Sequence, residues 1–430
     1  MEHRIRYGHQ ELSFQIPQGC RFAAIHPKPV SAAPDAQAEI RRALDQEIGA
    51  SLASLASPGK RVCIICDDIS RPTPVSTIVP LLLHRLTTLG VQKEAIYFVL
   101  ALGSHRRMTH QEVEHKLGAE IAGDFAVYQS SFADPSELLD LGHTEDGAVI
   151  EVYRRVMDSD VRIGIGNIVP HNTLGWSGGS KILFPGVTSE ETVSKFHMRA
   201  MMPRDERIFG NVNNSVRRDV ETWTEKIGLH YIINTVLTGE QALYRAVAGH
   251  HVLAHRQGVE YARDVFSVPA PYAADIVLVD SYPSDCDFWQ GTKGFNAADV
   301  VVRDGGSAIL VSPFYEGVGP HPEYPVMVGR DDASSLLDAL IARGPSAAPG
   351  MDPLAVAVGA LISRMRQRFD MYVYSDGVED ALLESARIRR TRDLGQTLAE
   401  LNERYGGHAD VLLIHSGAEV VPELPIHNRL

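Results

Sequence analysis

Arg61-Val-Cys-Ile-Ile-Cys-Asp-Asp68-Ile-Ser-Arg71-Pro-Thr-Pro74 is the stretch that decides the fold. The apolar run 62–66 is too short for a helix and reads as a strand buried on both faces. A polar turn with two prolines follows, and then 75–89 carries apolar residues at helical spacing. Moving outward, the unit recurs. A strand over 95–102 leads through Gly103-Ser-His105-Arg106-Arg107-Met-Thr109 to a helix over 110–117. Further strands are predicted at 125–128, 149–156 and 161–168. This alternation implies a parallel or mixed sheet covered on both faces, with ligands bound outside the carboxyl ends of its strands. The turns holding Arg71, His105 and His171 all follow strands, so they can gather at one sheet edge.

Upstream, Ile5, Tyr7, Leu12, Phe14 and Ile16 alternate around Gly8, which predicts a β-hairpin. A helix is expected over 35–56. Downstream, Pro269-Ala-Pro271 reads as a linker, and a second β-α-β series follows. It comprises a strand over 275–280, a loop over 281–294 and a helix over 295–302. Next come a strand over 307–311, helices over 332–343 and 352–368, a strand over 371–374 and a helix over 394–405. The fold class is therefore α/β, with two α/β domains, 1–270 and 271–410. The terminal segment 411–430, with a strand at 411–414, is free to pack back on the first domain.

Composition narrows the functions. Among 430 residues, 41 Lys and Arg against 54 Asp and Glu leave a net charge of −13. That speaks against nucleic acid and anionic membrane as partners. No apolar run reaches the ~18 residues of a membrane span, and the amino terminus lacks an apolar signal core, so a cytoplasmic location is expected. Four cysteines are too few for a disulfide scaffold. Cys63 and Cys66 have redox-motif spacing, but in a buried strand they would point to opposite faces.

The chemistry concentrates in His171-Asn-Thr-Leu-Gly-Trp-Ser-Gly178-Gly179-Ser-Lys181 and the helix after it, which carries His197. Lysine suits a covalent amine link, and neutral imidazole suits a metal. Gly178 and Gly179 would let something bulky approach the backbone. Thr188-Ser-Glu-Glu191 fits a capping box with Thr188 as N-cap, which puts Val193, His197 and Ala200 near one helical face. Lys181 then holds a cofactor, and His197 holds a metal on it. The plain alternative for His197 is a core histidine satisfied by a backbone carbonyl. Arg71, at a helix start, can grip a carboxylate with two bonds. Trp289-Gln290-Gly-Thr-Lys293 adds an aromatic, an amide and a cation.

Together, Asp67-Asp-Ile-Ser-Arg-Pro-Thr-Pro74, Gly103-Ser-His-Arg106, Pro170-His171, Gly178-Gly-Ser-Lys181, His197 and Gln290-Gly-Thr-Lys293 resemble the nickel-dependent lactate racemase family. The resemblance implies two α/β domains with the active site in the cleft between them. It implies nickel (Ni) and a nickel-pincer nucleotide, a pyridinium mononucleotide with two thio-acyl arms, joined to Lys181. His197 would ligate the nickel, and Asp68 matches an acidic residue of the site. His105 and His171 would take and return the proton of a 2-hydroxy acid's hydroxyl. Arg71 and Lys293 would bind its carboxylate, with Gln290 and Trp289 beside them. Cofactor biosynthesis enzymes would be partners. Trp289 stands where the family pattern has tyrosine. Arg106 and Arg107 would suit a second carboxylate or a polyhydroxy chain.

Two other readings compete. A zinc hydrolase could use His105, His171 and His197, but that leaves Lys181 without a role. A non-catalytic cofactor-binding protein would need the lysine and not the paired histidines. A P-loop is excluded, because Ser180 stands where the motif needs glycine.

Overall fold

In the computed structural model, which describes residues 2–145, 147, 149–202 and 206–425, two six-stranded sheets form the frame. The first has the order Leu243–Gly249, Tyr231–Leu237, Val161–Asn167, Val62–Asp67, Ile96–Ala101, Ala126–Gln129. Its neighbours are parallel except Leu243–Gly249, which runs antiparallel to Tyr231–Leu237. The second has the order Arg389–Arg390, Asp370–Tyr374, Val302–Val311, Ala274–Asp280, Asp410–Ile414, Arg21–Ile25, and every pair is parallel.

Strand Val62–Asp67 shows why the first sheet is covered on both faces. Cys63 and Ile65 join one apolar cluster, and Val62, Ile64 and Cys66 join the other. Both cysteines are free and buried, on opposite faces as the period of two demands. In the second sheet Ile276 and Leu278 face one cluster, while Val277 and Val279 face the other.

Each sheet has one place where the strand order reverses. In the first, the chain leaves Val62–Asp67 toward Ile96–Ala101 and returns to its other side as Val161–Asn167. In the second, the reversal lies between Ala274–Asp280 and Asp410–Ile414. Such switch points open a crevice at the strands' carboxyl ends. The turns after these four strands carry Asp68 and Arg71, His171 and Lys181, Trp289, Gln290 and Lys293, and Glu419. All of these residues line one shared cavity.

Several expectations change. The hairpin Glu2–Tyr7 and Gln10–Gln15 forms around Gly8, but its Ile5 and Phe14 pack on the second sheet. With Arg21–Ile25 as that sheet's edge strand, the start of the chain belongs structurally to the second unit rather than to a first domain running 1–270. The segment after 410 is shared. Asp410–Ile414 lies inside the second sheet, while Val421–Glu423 pairs with Ser267–Pro269 and Val421 packs into a first-domain cluster. The helix expected over 35–56 stops at Asp45, and a short helix, Leu52–Leu55, follows. The first helix is capped at Gln46, and Gly49, at φ 73° where an L side chain is strained, lies in the turn between the two helices. Strand Val149–Tyr153 pairs antiparallel with Leu138–His143, outside both main sheets.

Candidate active site

The cavity between the two switch points has a volume of about 390 Å³. Asp68, Arg71, His105, His171, Gly178, Lys181, His197, Trp289, Gln290 and Lys293 all line it. Gly179 does not.

The turn after Val62–Asp67 is tied down at both ends. Lys116 is buried. Its ammonium pairs with Asp67 at 2.7 Å and donates to the Arg71 carbonyl at 2.8 Å. Thr73 donates to the Asp67 carboxylate. Asp68 is buried, and its Oδ1 accepts from the Ser70 backbone N–H at 2.7 Å and from the Ser70 hydroxyl. Its Oδ2 faces His105 Nδ1 at 2.9 Å. Burial alone would raise the Asp68 carboxyl. The His105 ring, the Arg71 guanidinium and Ser70 overcome it and hold the group well below the usual carboxylate range. Arg71 itself has no carboxylate partner among the described residues; its guanidinium reaches only the Ser70 carbonyl, at 3.5 Å.

His171 is held in a different way. Pro170–His171 pairs antiparallel with Gly175–Trp176. Inside that tight turn the ring's Nδ1 accepts from the Thr173 N–H at 3.3 Å and lies 2.7 Å from the Thr173 hydroxyl. Burial pushes His171 well below its ordinary value, and Lys181, Lys293 and Arg71 push it further. The ring is therefore neutral at pH 7.

Lys181 lies in the short turn of 3-10 helix Gly179–Ile182. Among the described residues its Nζ has no hydrogen-bond or ion-pair partner. Burial brings the amine down to about 7, with Arg71 adding to the effect and Asp68 and Asp67 opposing it. Much of it is then the free amine that acyl chemistry needs. Lys293 is also brought down to about 7 by burial, then by Arg71 and Lys181, and it donates to Gln290 Oε1. Arg71, Lys181 and Lys293 thus share one cavity with the Asp68 carboxylate, and the nearby cations make it costlier for each lysine to keep its proton.

The two glycines have a tertiary cause. A Cβ on Gly178, at φ 75°, would lie 2.7 Å from Ile168 and 2.8 Å from Asn234. One on Gly179, at φ 59°, would meet the His255 ring at 3.0 Å, and the Gly179 N–H donates to Asn234 Oδ1 at 2.8 Å. Both make room for the protein's own packing, and Gly178 also lines the cavity while Gly179 does not.

Helix Glu190–Met201 starts one residue later than expected. Ser189 is the N-cap and accepts from the Thr192 N–H at 3.2 Å. Thr188 instead bridges to Val152. The helix lies on the seam between domains. Val193, Met198 and Met201 join the second domain's apolar cluster, and Phe196 and Ala200 join the first's. His197 Nδ1 lies 2.9 Å from the Val193 carbonyl one turn back, so Nδ1 carries the proton, and Nε2 has no hydrogen-bond partner among the described residues. Burial lowers this histidine to about 4 despite that carbonyl. A satisfied core histidine and a ligand-ready one are here the same residue.

Sequence reading missed some groups. Glu419 is buried in the cavity wall, and Gln241 Nε2 donates to it at 3.4 Å. Burial pushes its carboxyl up to about 7 against the pull of Gln241, Lys293 and Arg71. The contact spans 178 residues, and no local motif announces it. Within the 281–294 loop, Asp287 caps a short helix, Phe288–Gly291, by accepting from Gln290 N–H at 2.6 Å. Trp289 packs on His321, with centroids 4.2 Å apart, and His321 in turn pairs with Asp352. Arg106 is spent on a bidentate pair with Glu112, at 2.9 and 2.7 Å, and neither it nor Arg107 lines the cavity. The extra charge expected there is therefore absent. Nor do the donor atoms of His105, His171 and His197 converge as a metal set, which removes the geometric basis of the zinc hydrolase reading.

Residues 7–208 match the family described as lactate racemase N-terminal domain, and 270–422 match the lactate racemase C-terminal domain. The chain is 28% identical over 389 residues to lactate racemase of Lactiplantibacillus plantarum, covering 90% of each. It is 26% identical over 426 residues to lactate racemase of Thermoanaerobacterium thermosaccharolyticum, covering 97% of this chain and 98% of that one. The apoprotein structure of the Thermoanaerobacterium thermosaccharolyticum enzyme superposes with a TM-score of 0.84 at 25% identity, covering 98% of this chain and all of that one. A Thermotoga maritima protein shares the fold, with a TM-score of 0.69 at 19% identity over 92% of this chain. With both family domains present in order and the fold shared along nearly its whole length, the chain belongs to the lactate racemase family and is an isomerase.

Proposed function

We propose that this protein racemises or epimerises a 2-hydroxy acid in the inter-domain cavity, with a nickel-pincer nucleotide joined to Lys181 and its nickel ligated by His197 Nε2. The residues fit such a group. A buried free amine at Lys181 and a neutral imidazole with its proton fixed on Nδ1 are the two protein groups it requires. When bound, the nucleotide would supply an acceptor for the hydride on the substrate's Cα.

The observation that carries the reading is the pair of unlike histidines in one cavity. Asp68 takes the Nδ1 proton of His105, so neutral His105 presents Nε2 as an acceptor. Thr173 donates to Nδ1 of His171, so neutral His171 presents Nε2–H as a donor. His105 is set to accept the hydroxyl proton; His171, after taking up a proton to become the imidazolium, returns one and is left neutral. Losing a hydride from Cα and a proton from the hydroxyl makes a planar 2-keto acid, and hydride returned to its opposite face inverts the centre. Arg71 and Lys293 hold the carboxylate, and Gln290 positions the Lys293 ammonium. Lactate is the smallest substrate that meets this description; malate and larger hydroxy or sugar acids share its reacting group.

Intact mass and metal content of protein made alongside cofactor-building enzymes test the proposal. Lys181→Ala should lose the covalent adduct, and His197→Ala should keep the adduct and lose most of its nickel. An adduct of unchanged mass on Lys181→Ala would remove the attachment site. A panel of chiral 2-hydroxy acids then identifies the substrate. Among the described residues no helix is long and apolar enough to cross a membrane.

A further inference from the structure

Away from the cavity, Glu225, His250 and His251 bring a carboxylate oxygen and two ring nitrogens within 4.8 Å of one another. Glu225 sits in the last turn of helix Ser215–Ile227. The two histidines form the turn between strand Leu243–Gly249 and helix Leu253–Phe266. None of the three lines the cavity.

His251 is the telling member. It is 2% exposed, yet neither ring nitrogen closes a hydrogen bond of good geometry. Its closest charged neighbour is the Glu225 carboxylate, 3.4 Å from Nε2. Burial holds the ring below its ordinary value, and His250 adds to this, against Glu225, Glu221 and the Leu229 carbonyl. The ring is thus the neutral form that binds metals. His250 stacks on it, with centroids 4.5 Å apart and planes 28° apart. The Val252 N–H donates to His250 Nδ1 at 3.2 Å, so the neutral ring carries its proton on Nε2 and must turn away from that N–H to offer a lone pair. A buried imidazole left short of partners is a net cost to folding unless something else uses its lone pair.

We propose that Glu225, His250 and His251 form a second metal site, selective for a borderline divalent cation such as zinc and separate from the nickel position at His197. Two imidazoles and one carboxylate are a common zinc donor set, with a fourth position for water. Bonds of about 2.0–2.1 Å place tetrahedral donors about 3.3 Å apart. Rotation of the exposed Glu225 and the half-buried His250 closes the set from 4.8 Å while His251 stays fixed.

The site's place in the fold gives it a use. A Cβ on Gly179 would lie 3.1 Å from the His251 carbonyl, so the histidine turn backs directly onto the turn that carries Lys181. One helical turn on, His255 Nε2 lies 2.8 Å from the Ser177 carbonyl. A metal joining helix Ser215–Ile227 to this turn would brace the lysine turn from behind. Its role is structural.

The test uses full-length protein made without cofactor-building enzymes, stripped with chelator, and carrying His197→Ala so that the proposed nickel position contributes nothing. Zinc chloride is titrated by calorimetry at pH 7.5 against a weak competing chelator, and Tm is read with and without zinc. One zinc per chain is expected, with a raised Tm and with affinity falling at pH 5.5 as the imidazoles protonate. Adding Glu225→Gln or His250→Gln, both on accessible side chains, should weaken binding at least tenfold and remove the Tm rise. Adding His110→Gln, which breaks an exposed pair with Glu114, should change neither. Absence of stoichiometric zinc in the His197→Ala protein would overturn the proposal, as would unchanged affinity in both Glu225→Gln and His250→Gln.

Discussion

His105 and His171 reach the same cavity from turns after the two strands that flank Val62–Asp67, and their surroundings differ at almost every point. His105 leans on a buried carboxylate, Asp68. His171 has a threonine for a partner and three cations around it. The first environment places the ring proton on Nδ1, and the second places it on Nε2. For a reaction that must take a proton on one face and give one on the other, the unlike rings offer a free acceptor nitrogen at His105 and an Nε2–H at His171, whose ring gives up a proton only once it has become the imidazolium. Two identical environments would leave two competing acceptors or two donors. The roles exchange as each turnover moves a proton from one ring to the other.

The largest test removes each ring in turn. His105→Ala and His171→Ala, loaded with cofactor, should each lose about 10²–10⁴-fold in kcat/KM. The loss should appear for both enantiomers, because the equilibrium constant is fixed. Near-normal turnover by either variant would leave a single-base scheme and end the contrast. Next in size is Asp68→Asn, which keeps the shape and removes the charge that orients His105. A loss on the order of 10–100-fold is expected, as for other partners that orient a histidine. The same loss from Asp67→Asn would show that the turn's fold matters and not the Asp68–His105 contact.

A third test reads the cation-rich side through stability of the cofactor-free protein. His171 is held well below 6.5, and His197 at about 4. Between pH 6.5 and about 4 the unfolded chain therefore binds more protons than the folded one, and stability must fall as pH falls through that window. His197 should contribute about 1–2 kcal/mol of loss between pH 7 and pH 5, and His171 a loss of the same sign. Urea unfolding at the two pH values should show a smaller drop in His171→Gln than in the parent. An equal drop would mean that the ring is not kept neutral by burial. The smallest effect is expected from Thr173→Val, which removes the hydroxyl 2.7 Å from His171 Nδ1 but keeps the backbone donor. One neutral hydrogen bond of ~1 kcal/mol corresponds to about fivefold in rate. A larger loss would make the hydroxyl, and not the N–H, the group that sets the tautomer.

Much of this was legible along the chain because its signals are local. The run 62–66 had to be a two-faced buried strand, and the turns holding Arg71, His105 and His171 had to follow strands. Helix starts were less secure. Thr188 and Ser189 both satisfy the cap chemistry, and a bridge from Val152 to Thr188 decides between them. Gly178 and Gly179 were legible as glycines, but their cause, Asn234 and His255, lies more than 50 residues away.

The sequence by itself determined the alternation of strands and helices, the apolar faces and the residue types offered by each turn, since these depend on neighbours within a few positions. Tertiary structure alone decided where the first 25 residues went, because a short edge strand such as Arg21–Ile25 carries no mark of the sheet it will join. It also decided that two switch points would face each other, that Glu419 would share a cavity with Lys293, and which nitrogen of each histidine keeps its proton. A proton follows the hydrogen bond that holds it, and in Asp68–His105 that bond joins residues 37 positions apart.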